Sequence, residues 1–431
     1  MTPIGYARLD DLVSPYGPIS VVAPMGNGWK EPLPFEVYTS SVGTGVPGLG
    51  APGEQHIICG GRADTSSPEL ARLIAIAEGA ERYALGDRQN GADHLWATAQ
   101  ELGDRCIEPW RIPACSAAEL AHPDCKVINF DPAARVRWTE GVDLLTGGPV
   151  LVPSAMVCVP VANRTPDETF NVPISTGYAV HTDAVKAVIS GLCEVVERDI
   201  ISVLWHHRLR LPRVHPDHFD KEIADTVEWC RRRFVDTHLF DATSDLGIPI
   251  AYCLVRAPHD PEVATVVGAG TGRDIREASL KALREAVGIR QAIRAHGGDA
   301  RKPYREYRSV EDGASFLALP ENNEAFDFLV EPTRHTRNHI SLPTDPRACL
   351  DRMLDALRAA CMRPVLVDRT TCELRNVGLT AVTVVVPDLQ PMSVDPLVQY
   401  KAHPRLYALP ERMGFPSLDE KELNPWPQPF A

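Results

Sequence analysis

Proline constrains this chain more than any other residue type. It occupies 38 of 431 positions, about 9% and nearly double the usual share, and each proline fixes φ and removes a backbone donor. Long uninterrupted helices are therefore expected to be few, with many extended, turning or rigid connections. The length suits about three lobes or one large enzyme domain. Hydrophobic residues at 44% and charged residues at 23% are ordinary for a folded globular chain. A formal charge of −13 argues against the nucleic-acid backbone as main partner. The N-terminus lacks a basic and apolar leader pattern, and no run of 18 apolar residues occurs, so neither export nor a membrane span is expected. Eleven cysteines without a C-x-x-C pair fit reduced thiols in a cytoplasm better than a disulfide framework or a zinc site.

Residues 1 to 65 are rich in Gly and Pro and read as short strands joined by loops. The glycines of 43 to 55 do not form G-x-x-x-x-G-K-[ST], so they read as flexible loop and not as a nucleotide cradle. Ser67 as cap, Pro68 and Glu69 start a helix predicted over 68 to 85, ended by Gly86. Val136, Trp138, Val150 to Val152, and Val157, Val159 and Val161 mark a sheet region over 134 to 162. A second helix is predicted from Thr182 or Asp183 to about Leu204. Two strand-like runs, 248–257 and 263–272, precede a third helix capped by Asp274 and reaching about Ala295, where His296, Gly297 and Gly298 break it. Residues 297 to 345 read as polar loop, and a fourth helix covers 346 to 361. VLVDRTT and LTAVTVVVPDL read as the last buried strands. The closing Pro425-Trp426-Pro427-Gln428-Pro429 suits neither a helix nor a central strand.

Carboxylates stand out on three of these helices. Leu70, Ile74, Ala77, Glu81 and Ala84 follow alternating steps of four and three, placing Glu81 in an apolar stripe with Glu78 on an adjacent face. A buried carboxylate needs a cation, a metal or a dense set of donors. In the second helix Glu194 and Glu197 share a strip with Asp183, Lys186 and Ser190, away from an apolar side of Val185, Val188, Ile189, Leu192, Val196 and Ile200. Taken alone, that strip reads as a solvated face with local ion pairs. Two E-x-x-E-R runs change the reading: converging helices would offer four hard oxygen donors, the type Mg²⁺ takes when it also holds phosphates. In the third helix Glu285 lies on a stripe with Ala278, Ala282, Ile289 and Ile293, and Lys281 one turn earlier either pairs with it or flanks phosphates beside Arg198.

With these runs in view, nearly the whole chain resembles the YcaO family of ATP-dependent peptide-backbone modifying enzymes. The resemblance rests on Glu78-Gly79-Ala80-Glu81-Arg82, Glu194-Val195-Val196-Glu197-Arg198 and Lys281-Ala282-Leu283-Arg284-Glu285, in that order, with STGYAVHTDAVKAVISGLCEVVERD at 175 to 199 and the proline-rich end. It implies a compact α+β body of mixed and antiparallel sheets and helices enclosing an ATP site between subdomains. Residues 1–415 would form that domain, and 416–431 a tail inserting into the site. It implies Mg²⁺ on Glu78, Glu81, Glu194 and Glu197, and nucleotide contacts from Arg82, His181, Lys186, Ser190, Arg198, Lys281 and Glu285, with Lys281 replacing the family's arginine. Ile74, Lys186 and Ser190 depart from common family residues, which implies rearranged adenosine or phosphate contacts. Members with such a proline tail form azolines, so the resemblance implies ATP- and Mg²⁺-dependent cyclodehydration of Cys, Ser or Thr in a precursor peptide, with the Ala431 carboxylate moving protons. Thioamide or amidine formation and a non-catalytic scaffold are the alternatives. The expected partners are the precursor peptide and a separate leader-binding protein, with a homodimer as a further assembly.

Overall fold

Proline is kept out of the longest helices. In the computed structural model, which describes residues 8–25, 33–43, 57–85, 95–159, 164–296, 300–307 and 309–430, the 24-residue helix Ala184–His207 and the 22-residue helix Ile275–His296 contain none. Pro68, Pro346 and Pro404 instead open helices, where the missing N–H has no intrahelical partner to lose. The helices of eight residues or more, among the described residues, are α1 (Pro68–Ala84), α2 (Ala184–His207), α3 (Lys221–Arg231), α4 (Ile275–His296), α5 (Val310–Leu317), α6 (Pro346–Ala359) and α7 (Pro404–Arg412). None is long and apolar enough to cross a membrane.

Three sheets carry them. Strands β1 (Ile19–Pro24), β2 (Glu36–Val42) and β3 (Ile57–Ala63) form an antiparallel sheet in that order. Its partner on the far side of the cavity contains β8 (Arg213–Val214), β9 (Asp236–Asp241), β10 (Ile250–Arg256), β11 (Thr265–Thr271) and β12 (His335–Thr336), ordered β11-β10-β9-β8-β12 and antiparallel except for the β12–β8 pair. A third sheet contains β4 (Leu95–Ala97), β5 (Val136–Asp143), β6 (Pro149–Pro153), β7 (Tyr178–His181), β13 (Val365–Asp368) and β14 (Thr380–Val385). Its order is β4-β5-β13-β14-β7, with β6 on β5. The fold is thus α+β with mixed and antiparallel sheets.

Close packing fixes two of the helices to their strands. α1 lies on β2 and β3, and α4 on β10 and β11. A Cβ on Gly61 would stand 2.0 Å from the Ala71 carbonyl oxygen, and one on Gly268 2.6 Å from the Ala286 nitrogen. Only glycine permits either approach. The largest core gathers α2, α6, β10 and the C-terminal segment around Trp205, Phe240, Tyr252, Phe326 and Phe430.

Some expectations change. Val157 and Cys158 are buried but follow a 3₁₀ turn, Ser154–Met156, because Pro153 ends β6; Val161 lies outside the described residues, as do Gly86, Gly297, Gly298 and residues 44 to 55. The stretch 297 to 345 is not simply loop. It holds α5, whose Ser309 and Asp312 form a reciprocal capping box, and a 3₁₀ segment Pro320–Phe326 that runs into Asp327–Val330. Ser67 stands before α1 but makes no side-chain cap, whereas Asp183 accepts from the N–H groups of Val185 and Lys186 and starts α2 as expected. Asp274 likewise accepts from the Glu277 N–H at 2.8 Å.

Behind α2, Arg405 reaches Asp199 at 2.8 Å and Asp245 at 2.7 Å. Arg405 and Asp199 are buried. Arg405→Ala leaves the buried Asp199 without its cation, while Asp245 keeps Arg412 at 3.1 Å, and unfolding in urea is expected to show a loss of about 3–5 kcal/mol.

Candidate functional site

The three carboxylate helices meet at one cavity of about 830 Å³, a size that suits a small-molecule ligand. α1 contributes Leu70 and Ile74, α2 Ser190, Glu194 and Glu197, and α4 Lys281 and Glu285. Arg62 of β3 and the Gly270-Thr271-Gly272 end of β11 complete the arrangement.

α1 faces the other way from expectation. Leu70 and Ile74 are 45% and 38% exposed, while Ala71, Leu73, Ala75, Ile76 and Ala80 are buried. The start of the stripe that carries Glu81 therefore faces the cavity, while Ala77 and Ala84 at its other end pack with the core. The strip on α2 is likewise no solvated face at its far end, since Glu197 is buried and accepts from the Thr271 hydroxyl at 2.8 Å.

Charge is concentrated where α1 and α2 approach. Arg82 lies 3.6 Å from Glu78 and 3.7 Å from Glu81, and Arg198 lies 3.6 Å from Glu194 and 3.8 Å from Glu197. Burial pushes the Glu81 carboxyl well above the usual carboxylate range; Glu194 and Glu78 add repulsion, and Arg82 and Arg198 oppose it. Burial also raises Glu194, with Glu197 adding to the shift and Arg198, Arg82 and a hydrogen bond from the Gly177 N–H opposing it. Arg198 Nη1 is buried without a hydrogen-bond partner. Glu78 accepts from the Gly60 N–H at 3.1 Å. Among the described residues no three His, Cys, Asp or Glu side chains close on a common point as a ready-made metal site; the acids are turned to their own arginines and to backbone N–H groups.

Glu285 accepts from the Ala269 N–H at 2.7 Å. Its carboxyl is pushed up to about 7 from an ordinary 4.5, by burial first and by Glu197 next. Of the two readings of Lys281, the bridge to Glu285 does not form, because Lys281 pairs with Glu277 at 3.2 Å and donates to the Thr271 carbonyl at 2.9 Å. The folded protein thus holds a proton on Glu285 that the unfolded chain releases near pH 4.5. Stability from this group is complete below 4.5 and disappears as pH rises through about 7. Glu285→Gln is expected to flatten that slope, read from urea midpoints at about pH 5 and about pH 7.5.

His181 and Lys186 are not among the cavity walls. His181 ends β7 and accepts from the Asp183 N–H at 2.8 Å, and Lys186 is exposed in the first turn of α2. Arg62, Thr271 and Glu277 were not singled out by the sequence; each is a lone polar residue with no motif around it.

The C-terminal segment docks behind this charge cluster. The Asn424 N–H donates to the His206 carbonyl at 2.8 Å, and Trp205 Nε1–H donates to the Trp426 carbonyl at 3.1 Å. Gly313 on α5 leaves room for the Gln428 carbonyl, which a Cβ there would meet at 2.3 Å. Phe430 is 1% exposed, and its ring centre lies 4.3 Å from the Arg198 guanidinium carbon. Ala431 lies outside the described residues.

An α+β body whose ligand cavity is walled by helix-borne carboxylates, without a phosphate loop, is the class that fold and site define. The chain belongs to the YcaO family: the model described as YcaO cyclodehydratase, ATP- and Mg²⁺-binding, matches residues 63–390. An uncharacterized protein of Methanothermobacter thermautotrophicus is 27% identical over 339 residues, covering 76% of this chain and 80% of that protein. Another, in the tfuA 3′ region of Rhizobium leguminosarum bv. trifolii, is 28% identical over 235 residues, covering 50% of this chain and 55% of that protein. A heterocyclase in complex with substrate and cofactor superposes with a TM-score of 0.79 at 22% identity, covering 99% of this chain and 57% of that one. The chain therefore spans little more than half the length of the first relatives of each kind. The YcaO protein of Methanopyrus kandleri bound with AMPPCP and Mg²⁺ gives a TM-score of 0.60 at 19% identity, covering 86% of each chain. The E. coli microcin synthetase McbBCD complex with pro-MccB17 gives 0.64 at 11%, covering 95% of this chain and 96% of that one. These likenesses are of fold.

Proposed function

We propose that this protein is an ATP- and Mg²⁺-dependent cyclodehydratase that converts Cys, Ser or Thr of a ribosomally made precursor peptide to thiazoline or oxazoline. The observation that carries the reading is that Glu194 and Glu197 wall one cavity with Lys281 and Glu285, while Glu78, Glu81, Arg82 and Arg198 crowd in behind them outside that lining, with Arg198 Nη1 making no hydrogen bond. The donor set suits the ion: hard carboxylate oxygens, two of them on groups whose burial favours protonation, would gain from a divalent cation.

Glu78, Glu81, Glu194 and Glu197 would hold Mg²⁺, which supplies charge neutralisation on the phosphates when bound. Arg198 and Lys281 would bind phosphate oxygens, with Arg82, Ser190 and Glu285 ordering the site around the nucleotide. His181 and Lys186 stand at the entry to α2 and would join only through contacts with the nucleotide's outer end. In the reaction the side-chain thiol or hydroxyl adds to the preceding amide carbon. The thiol or hydroxyl proton passes to the former amide oxygen and is released as that oxygen takes the γ-phosphoryl group of ATP, with ADP departing. Loss of phosphate and of the amide proton then leaves the C=N bond, so the peptide loses one water per ring. The Ala431 carboxylate would accept that proton. A separate leader-binding protein would deliver the peptide; the E. coli microcin synthetase McbBCD is a complex solved with pro-MccB17 bound.

The test is mass spectrometry of candidate precursor peptide incubated with protein, partner and Mg²⁺-ATP. Loss of one water per modified residue supports the reading, and exchange of oxygen for sulfur would select thioamide formation instead. Failure to bind Mg²⁺-nucleotide with partner and peptide present would leave a scaffold.

A further inference from the structure

We propose, resting on the reading of the cavity as a Mg²⁺-nucleotide site, that Phe430 is a positioning residue for Arg198, so that seating of the C-terminal segment sets how well the site grips phosphate. Arg198 is not locked by its acids. Its ion pairs at 3.6 Å and 3.8 Å are longer than charge-assisted hydrogen bonds of about 2.7–2.9 Å, and Nη1 makes no hydrogen bond at all. What lies against the guanidinium is the ring of Phe430 at 4.3 Å, within the range of attraction between a cation and an aromatic face. A ring on one side restricts the tilt of the planar fork, which keeps its N–H edge available to a planar or tetrahedral anion. An aliphatic side chain at 430 would fill the space without that preference.

Phe430 is itself placed by contacts far from the charge cluster. The segment is tied to the last turn of α2 by the bonds from Asn424 to His206 and from Trp205 to Trp426, and α2 is the helix that carries Arg198. Its carbonyl at Gln428 fits against Gly313 of α5 with no room for a methyl group. The end of the chain is therefore fixed to the helix that bears Arg198, and a shift of the segment at residues 426 to 428 would be transmitted to Arg198 through one ring.

The experiment uses the full chain and Mg²⁺ with a non-hydrolysable ATP analogue, titrated by calorimetry. Phe430→Leu is expected to weaken binding about tenfold. Replacing Phe430 by pentafluorophenylalanine, which keeps the shape and reverses the charge of the ring face, should weaken binding to a similar degree with an unchanged melting temperature. Gly313→Ala, which leaves Phe430 intact but displaces its support, should reproduce the loss. The pentafluoro variant keeps the test open if Phe430→Leu folds poorly. Wild-type affinity in the pentafluoro variant would overturn the role of the ring face while leaving the nucleotide site standing. No binding by the wild type would overturn both.

Discussion

Glu81→Gln is expected to bind Mg²⁺-nucleotide about a hundredfold or more weakly than the wild type, and at the same time to raise the stability of the ligand-free protein. The two signs come from one cause. Burial and the nearby Glu194 and Glu78 hold the Glu81 carboxyl well above its ordinary range, so its ionised form is costly in the absence of a ligand and useful only when a cation arrives. The amide keeps the shape and removes the charge. Glu197→Gln should lose affinity comparably, and it retains an oxygen to accept from the Thr271 hydroxyl, so a folding defect is not the expected explanation. Calorimetric titration together with urea unfolding checks both signs. Unchanged affinity in both variants would remove the carboxylates from the nucleotide site.

Arg198→Lys is expected to lower cyclodehydration turnover by about 10²–10³ and to weaken nucleotide binding only about tenfold, the loss expected when the fork is displaced. Lysine keeps one charge but loses the planar fork and the edge left free by Nη1. Binding of the ground-state nucleotide draws on the whole cation set, whereas phosphoryl transfer places new charge where the fork points. The measurement is a separation of KM for ATP from kcat with peptide and partner present. A large rise in KM with unchanged kcat would mean that Arg198 serves binding alone.

Much of the site was legible because its residues lie on helices with fixed spacing. Glu194 and Glu197, three apart on α2, and Glu285 on α4 reach one cavity as their positions implied, and α1, α2, α4 and α6 begin within two residues of expectation. The direction of α1 was not legible. Bulky Leu70 and Ile74 dominate a hydrophobicity pattern, but the face that packs on β3 must be made of small residues because Gly61 brings strand and helix so close. Ala71 and Ala75 therefore take the face on β3, Leu73 and Ile76 enter the core, and Leu70 and Ile74 are left for the cavity. Spacing left Lys281 open between a bridge to Glu285 and a place beside the phosphates; the bridge is excluded because Glu277 on the preceding turn takes it. Arg62 and Thr271 come from strands of different sheets, and nothing local announces that they share a wall. Family resemblance implied a tail inserting into the site; what is observed is packing of residues 424 to 430 against α2 and α5, and the aromatic contact with Arg198 was not implied.

The pressing of α1 on β3 and of α4 on β11 has a genetic consequence. Residues 61 and 268 are on the strands beneath these helices, and a methyl group at either would clash with helix backbone. A random-mutagenesis screen for inactive protein should therefore recover alanine and serine at these glycines alongside the acids and arginines. Such alleles would be of a distinct kind: their ligand-contacting side chains are all intact, and second-site suppressors should arise where they let the facing helix shift or its register slip, since the clash is with helix backbone.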